Sequence, residues 1–439
     1  MTSTLKHRLT RTPNRLSRPP EQLPPGEPSM STPRRIVLGV SGGIAAYKAC
    51  ELLRRLQGAG HEVTVVPTAA ALEFVGVSTW AALSGRPVHT SVFDDVHLVP
   101  HVKMGQEIDL VFVAPATADL LARAASGRAD DLLTNVLLTA HCPIVFAPAM
   151  HTEMWLNSAT QANVSTLRSR GIVVIRPDVG RLTGPDAGVG RLPDPAELFA
   201  VAVAVLDDPD TAVRAAGQDM AGLKVVVSAG GTREHLDPVR FIGNSSSGLM
   251  GWALARAAVL RGADVGLVAA NVGLPAPPGA EVELVSSTAD LAQAMAVAAK
   301  DADIAIMAAA PADFTPANTS PTKIKKSGDG GLHVSLMQTT DILAGLVKAR
   351  TDPRQILVGF AAETPRDGET LLQLGRAKLA RKGCDLLVLN EVGPNLVFGR
   401  DDSQITLLSP DGATGPISGN KDTLAHQIWD EALAQRAHR

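Results

Sequence analysis

The sequence predicts an α/β protein made of two successive doubly wound parallel-sheet domains. Short apolar strands alternate with amphipathic helical segments, as a parallel sheet covered on both faces requires. The strand, glycine turn, helix pattern starts afresh near residue 224, which points to a second unit. Aromatics make up only 3% of the 439 residues, so alanine, valine, leucine and glycine must fill tightly packed cores.

The elements follow in order. Residues 1–33 are basic and rich in Pro, Ser and Thr, without apolar periodicity, and read as a disordered tail, with Met30 a candidate start. The first domain spans 34–206. Its strands are expected at 36–40, 63–68, 110–117, 143–150 and 172–177. Its helices are expected after the SGGIAA turn up to Gly58, through 120–138, near 159–170 and at 196–206. The polar stretch 207–222 reads as a linker. The second domain, 223–435, repeats the alternation. Strands are expected at 224–232, 265–271, 304–313, 357–364 and 386–391, with helices at 248–261, 289–299, 370–382 and 421–435. Asp411-Gly412 marks a hairpin, and Gly383 ends the helix before it.

Composition excludes several classes of function. A formal charge of -3 is too balanced for binding to nucleic acid by counterion release, and scarce aromatics leave no platform for stacked bases. Cys50, Cys142 and Cys384 are dispersed and form no CxxC pair, which argues against zinc, a redox dithiol or a disulfide framework and for a reducing cytoplasm. The longest stretch free of Asp, Glu, Lys and Arg, 132–152, contains Asn135, His141, Pro143 and Pro148 and reads as helix plus strand, so no membrane partner is expected.

Ligands of open α/β sheets sit beyond the carboxyl ends of the strands. Ser41, Gly42, Gly43 and Ile44 follow the first strand and open a helix, so free N–H groups and the positive helix end favour a phosphate guest. Taken alone, such a turn is as often purely structural. Thr68 and Pro115-Ala116-Thr117 end two further strands at the same edge. No GxGxxG fingerprint is present, which disfavours a dinucleotide and an NAD-dependent dehydrogenase. In the second half, SAGGTREHLDPVRFIGNSSSGLMG (228–251) places Ser245, Ser246, Ser247 and Gly248 at a helix start that suits a triphosphate, or a simple serine N-cap. KIKK (323–326) gathers three ammonium groups on a loop.

SGGIAAYK (41–48), APATADL (114–120), GRADDLL (127–133) and PAMHTEMW (148–155) resemble the flavin-dependent cysteine decarboxylases. With the second half included, order and spacing across 34–433 resemble the bifunctional phosphopantothenoylcysteine decarboxylase/phosphopantothenate-cysteine ligases of bacterial coenzyme A synthesis. The resemblance implies a flavodoxin-like first domain and a Rossmann-like second one. It implies FMN-dependent decarboxylation of 4'-phospho-N-pantothenoylcysteine, with FMN held by Ser41, Gly42, Gly43, Ile44, Thr68, Pro115, Ala116 and Thr117. His101 matches the catalytic base, a role suited to a side chain that titrates near neutrality. Met150 and His151 match the substrate-binding PAMN motif, with histidine where the family has asparagine. Thr183 stands nearest the flap cysteine that donates a proton in many relatives, and threonine is far too weak an acid to replace a thiol.

For the second half the resemblance implies amide formation between 4'-phosphopantothenate and cysteine, driven by CTP with Mg²⁺ through an acyl-cytidylate. Lys323 takes the principal catalytic position and Lys325 and Lys326 assist, spreading positive charge as nucleotidyl transfer requires. Asn244 matches the asparagine that holds the carboxyl group. Ser246, Ser247 and Gly248 match the phosphate turn, Asp313 the contact to ribose or metal, and Phe360 the wall of the cytosine pocket. The family assembles as a dodecamer of trimeric decarboxylase and dimeric ligase units. A flavin prenyltransferase-like enzyme and a non-catalytic flavodoxin-like binding protein remain the alternatives. Neither needs a second domain carrying KIKK and the AGGTRE loop.

Overall fold

The computed structural model describes residues 33–91, 105–183, 186–326, 331–365, 369–391 and 402–439. In the first half, β1 (Arg35–Val40), β2 (Glu62–Pro67), β3 (Leu110–Ala116), β4 (Ile144–Pro148) and β5 (Val173–Val174) form one sheet in the order β2-β1-β3-β4-β5. All its pairings are parallel. This is the flavodoxin-like order, whose topological switch point lies between β1 and β3. Alternation along β1 shows why both faces are covered. Ile36, Leu38 and Val40 enter one core cluster and Val37 the other.

Helices α1 (Ala46–Gly58), α2 (Ala69–Leu72), α3 (Val77–Ser84), α4 (Ala118–Ser126), α5 (Leu132–Thr139), α6 (Thr152–Leu156) and α7 (Ser158–Ser169) follow the strands. The single helix expected over 120–138 is two. Gly127 closes α4 in the left-handed conformation, φ +71°, and Asp131 opens α5 with a capping box to Thr134. Within that break the GRADDLL run folds on itself, Arg123 pairing with Asp119, Asp130 and Asp131. The strand expected at 172–177 pairs only over its two valines. A hairpin not foreseen from the sequence, β6 (Asp178–Arg181) with β7 (Ala187–Arg191), stands over the carboxyl edge.

Helix α8 (Pro195–Asp207) ends the first half. The stretch expected as a polar linker contains a further helix, α9 (Asp210–Gly217). Its Thr211, Ala212, Ala215 and Ala216 are buried, so the polar residues lie on one side of a packed helix.

The second sheet has eight strands: β8 (Lys224–Gly230), β11 (Asp264–Ala270), β12 (Ala280–Val285), β13 (Ile304–Met307), β16 (Ile356–Glu363), β17 (Leu386–Glu391), β18 (Asp402–Leu408) and β19 (Ala413–Asn420). Their order is β12-β11-β8-β13-β16-β17-β18-β19. The first six, all parallel, have the Rossmann-like order with a switch point between β8 and β13. The last two are antiparallel, a mixed edge that a purely parallel sheet would lack. They are the hairpin that Asp411-Gly412 announces. Short strands β9 (Arg233–His235), β10 (Phe241–Gly243), β14 (Phe314–Pro316) and β15 (Leu336–Gln338) form two small antiparallel pairs outside the sheet. Helices α10 (Leu249–Leu260), α11 (Thr288–Ala298), α12 (Ile342–Ala349), α13 (Leu371–Lys382) and α14 (Lys421–Ala437) cover its faces. Gly251 lets α10 approach β8 so closely that a Cβ there would lie 2.4 Å from that of Ala229. Among the described residues no helix is long and apolar enough to cross a membrane.

Candidate functional site

The carboxyl edge of the first sheet gathers the residues singled out there. A bulge at the end of β3 turns 115–117 toward β1. Ser41 Oγ donates to Pro115 O at 2.8 Å and accepts from Thr117 N–H at 2.8 Å. Ser41 is therefore a buried brace whose only proton is committed, and it differs in this from the phosphate donor its position suggested. The N–H groups of Gly42, Gly43 and Ile44 donate to no backbone carbonyl among the described residues. Gly43 faces open space, a Cβ there meeting only Thr117 Cγ2 at 3.7 Å, whereas Gly42 is pressed against Ala70. Thr68 and Thr117 cap α2 and α4 as acceptors, from Ala71 N–H and Leu120 N–H, which keeps their own hydroxyl protons for donation. Three N–H groups and two hydroxyls at one switch point fit the phosphate of a flavin mononucleotide.

The hairpin is fastened to this edge. Met150 N–H donates to Gly190 O at 2.9 Å. Gly190 adopts φ +144°, and a Cβ there would come within 2.1 Å of Met150 O. Lys48, in the first helix, donates to Leu192 O at 2.8 Å, and burial, with Arg191 nearby, pulls its pKa below the ordinary value. His151 is exposed at the N-cap of α6, and Thr183 is exposed beyond β6. Thr152 Oγ1 between them is buried without a partner, 2.3 Å from where a Cβ on Gly188 would stand. His101 lies outside the described residues. Burial pushes the Cys142 thiol up to about 11, so it holds no thiolate at neutral pH.

At the second switch point an open cavity of about 880 Å³ brings together Asn244, the turn 245–251, the segment 307–314 and Phe360. The segment after β13 is braced from β8: Ser228 Oγ accepts from Ala309 N–H at 3.1 Å and Thr232 Oγ1 from Ala312 N–H at 2.8 Å. Asn244 Nδ2 donates to Pro311 O at 2.8 Å, and the residue itself lines the cavity. Ser246 and Ser247 accept from Gly248 and Leu249 N–H in local turns ahead of α10, which has Gly248 as its N-cap. Asp313 is exposed on the wall.

Four cations that sequence reasoning missed also line the cavity, Lys378, Arg381, Lys382 and Lys421. Lys378 and Lys382 lie one turn apart on α13, and Lys421 is the first residue of α14. Lys378 pairs with Glu363 at 2.7 Å and Lys382 with Asp341 at 2.5 Å. Burial works to raise the Asp341 carboxyl, but Lys382 and the Ala344 N–H outweigh it and hold the group below its usual range. The i, i+4 spacing of the two lysines was the available signal. Lys323, Lys325 and Lys326 stand exposed on the loop after β14, away from the cavity wall. Their loop is pinned at Ile324, whose N–H donates to Asp237 at 3.0 Å and whose carbonyl accepts from Arg240 at 2.9 Å. Burial opposes ionisation of Asp237, yet the N–H groups of Val239, Ile324 and Arg240 and the Arg240 guanidinium hold it down to about 2.

Among the described residues no group of three His, Cys, Asp or Glu side chains could hold a metal ion by itself. Asp313 offers one carboxylate, which suits Mg²⁺ only when substrate phosphates complete its octahedron.

A flavoprotein family model matches residues 26–207, and a model described as the DNA/pantothenate metabolism flavoprotein C-terminal domain matches 220–435. The coenzyme A biosynthesis bifunctional protein CoaBC of Mycolicibacterium smegmatis is 54% identical over 411 residues, covering 92% of this chain and 98% of that protein. The protein of the same name from Escherichia coli is 39% identical over 407 residues, covering 92% and 97%. A crystal structure of the C-terminal domain of a protein of that name shares 28% identity, with a TM-score of 0.42, over 51% of this chain and all of that one.

Proposed function

This chain belongs to the family of coenzyme A biosynthesis bifunctional proteins, and we propose how its two halves divide the work. It is a flavoprotein with decarboxylase and ligase activities. We take 34–206 as the decarboxylase domain and 223–435 as the ligase domain.

In the ligase half the reaction is CTP-dependent. A carboxylate oxygen of 4'-phosphopantothenate attacks the α-phosphorus of CTP and pyrophosphate leaves. The cysteine amine then attacks the activated acyl carbon, CMP leaves, and the amine gives up a proton. Asn244 holds the carboxyl group by donating its second amide N–H to it, and Phe360 lines the base pocket. The turn 246–248, Lys378 and Lys382 meet the phosphates, and Asp313 takes the ribose or the Mg²⁺ that bridges them. The positive charge of Lys323, Lys325 and Lys326, exposed on the loop after β14, favours the build-up of negative charge on the reacting phosphates.

In the decarboxylase half Gly42, Gly43, Ile44, Thr68 and Thr117 hold the FMN phosphate, with Pro115 and Ala116 shaping the wall. FMN bound there supplies a two-electron acceptor and donor. His101 acts as base, Met150 and His151 meet the substrate, and the β6–β7 hairpin excludes water over them. One observation supports this division above the rest: each sheet carries its anion-ready edge at its own switch point.

A homo-oligomer, in the family's pattern of decarboxylase trimers and ligase dimers, fits the apolar side chains that the small strands expose. Val239, Phe241, Phe314, Leu336 and Met337 crowd one arm of the second half. Three free cysteines fit a cytoplasmic location.

The test uses purified protein, its flavin spectrum, and mass spectrometry after incubation with CTP, Mg²⁺, cysteine and 4'-phosphopantothenate. Phosphopantetheine is the expected product. His101→Asn should abolish carbon dioxide release while pyrophosphate release persists, and Lys323→Gln should do the reverse when the decarboxylase receives its own substrate. Loss of both activities from either change in a folded protein would contradict the division.

A further inference from the structure

The last helix begins inside the ligase cavity. Lys421 lines it together with the turn at 248–251 and Phe360. Of the two sequence neighbours of Lys421, Asn420 is anchored on the first half of the chain directly and Asp422 through Arg256 of the second half. Asn420, whose side-chain oxygen caps α14 by accepting from Thr423 N–H at 2.9 Å, donates through Nδ2 to Asp207 at the end of α8. Asp422 accepts from one arm of the Arg256 guanidinium on α10. The other edge of the same guanidinium grips Glu197, at the start of α8, through two bonds of 2.7 and 2.8 Å. Burial opposes the charge of Arg256, and the two carboxylates more than restore it.

A bracket on each side fixes the backbone of residue 421 and so the volume its side chain sweeps. An ammonium at the first turn of a helix also adds to the positive helix end there. Restricting a long flexible side chain before the ligand arrives lowers the entropy lost on binding. We propose that Lys421 binds the triphosphate of the nucleotide and that Glu197 and Asp207, in the flavin half, are positioning residues for it. The decarboxylase half thereby sets the geometry of the ligase site. This rests on the reading of the cavity as the CTP site.

The test uses the full-length protein, following pyrophosphate release for the ligase and carbon dioxide release from supplied 4'-phospho-N-pantothenoylcysteine for the decarboxylase. Lys421→Ala should raise KM for CTP about tenfold, the value of one charge-assisted contact, with kcat little changed and Lys421→Arg restoring most of the loss. Glu197→Gln should raise KM for CTP about threefold in the parent and add nothing in the Lys421→Ala background, as coupling through one side chain requires. Carbon dioxide release should stay unchanged. Should Glu197→Gln fail to fold, Asp207→Asn completes the same cycle. An unaltered KM in Lys421→Ala, or a rise for 4'-phosphopantothenate instead of CTP, would overturn the binding role. Equal effects of Glu197→Gln in both backgrounds, none at all, or a loss in kcat alone, would overturn the positioning role. A wild-type protein that releases no pyrophosphate would instead sink the ligase reading.

Discussion

His426 gives the seam between the two halves a measurable pH dependence. It sits on α14, 2% exposed, with Nδ1 lacking any partner. Burial, and then the charges of Arg261, Arg214 and Arg256, lower its pKa to about 3. Those arginines are themselves paired across the seam, Arg214 with Asp208 and Asp430, Arg261 with Asp219 and Asp430, and Arg256 with Glu197 and Asp422. In the unfolded chain the imidazole titrates near the ordinary value of about 6.5. Between the two values the unfolded state binds the extra proton, so stability rises with pH. The contribution is complete above about 6.5 and is lost as pH falls toward 3. Linkage puts the loss at about 1 kcal/mol at pH 5.5 and nearly 3 kcal/mol at pH 4.5, with a ceiling of about 5 kcal/mol. Urea unfolding of the wild type and His426→Leu, side by side across this range, reads it. The difference between their stabilities should shrink in the variant's favour by those amounts as pH falls, because only the wild type carries the titrating group. Parallel pH profiles would refute a neutral, desolvated imidazole at this position.

Three further outcomes follow from the decarboxylase edge. Gly190→Ala puts a Cβ 2.1 Å from Met150 O at a backbone angle closed to alanine, so the hairpin must lift and carbon dioxide release should fall at least about tenfold while ligation persists. Gly42→Ala forces a Cβ to 2.4 Å from that of Ala70 and should weaken flavin retention about tenfold, read from absorbance after gel filtration. Cys142→Ser should leave decarboxylation within about twofold of the parent, because a thiol held near 11 donates no proton usefully at neutral pH; a large loss would make this cysteine the missing flap donor.

The strands themselves were legible because buried parallel strands announce themselves as apolar runs, whereas their order in each sheet came only with the structure. The two helix edits had local causes of different visibility. Gly127 and Asp131 are ordinary stop and start signals within a run whose leucines on either side suggest one continuous helix. The helix at Asp210–Gly217 hides because it is short and its buried face is made of Thr211, Ala212, Ala215 and Ala216, small residues that a polar linker also carries. The antiparallel edge at β18 and β19 carries alternation only weakly, since one strand, Ala413–Asn420, is nearly all small or polar.

The sites divide in the same way. Turns such as 41–44 and 246–248 are readable because a phosphate is met by backbone groups, and glycine and serine mark where the backbone is available. Side-chain donors are harder, since nothing in the local sequence of Lys421 distinguishes it from a solvated helix start. Its meaning comes from Asp207 and Glu197, more than two hundred residues earlier, and from Arg256, which joins the two halves. The hydroxyl of Ser41 shows the converse error. A serine in a glycine turn invites a ligand, yet once β3 bends back the nearest acceptor is Pro115 O, and the proton goes there. Long-range pairing decided both cases, and it is the part of a site that spacing along the chain does not encode.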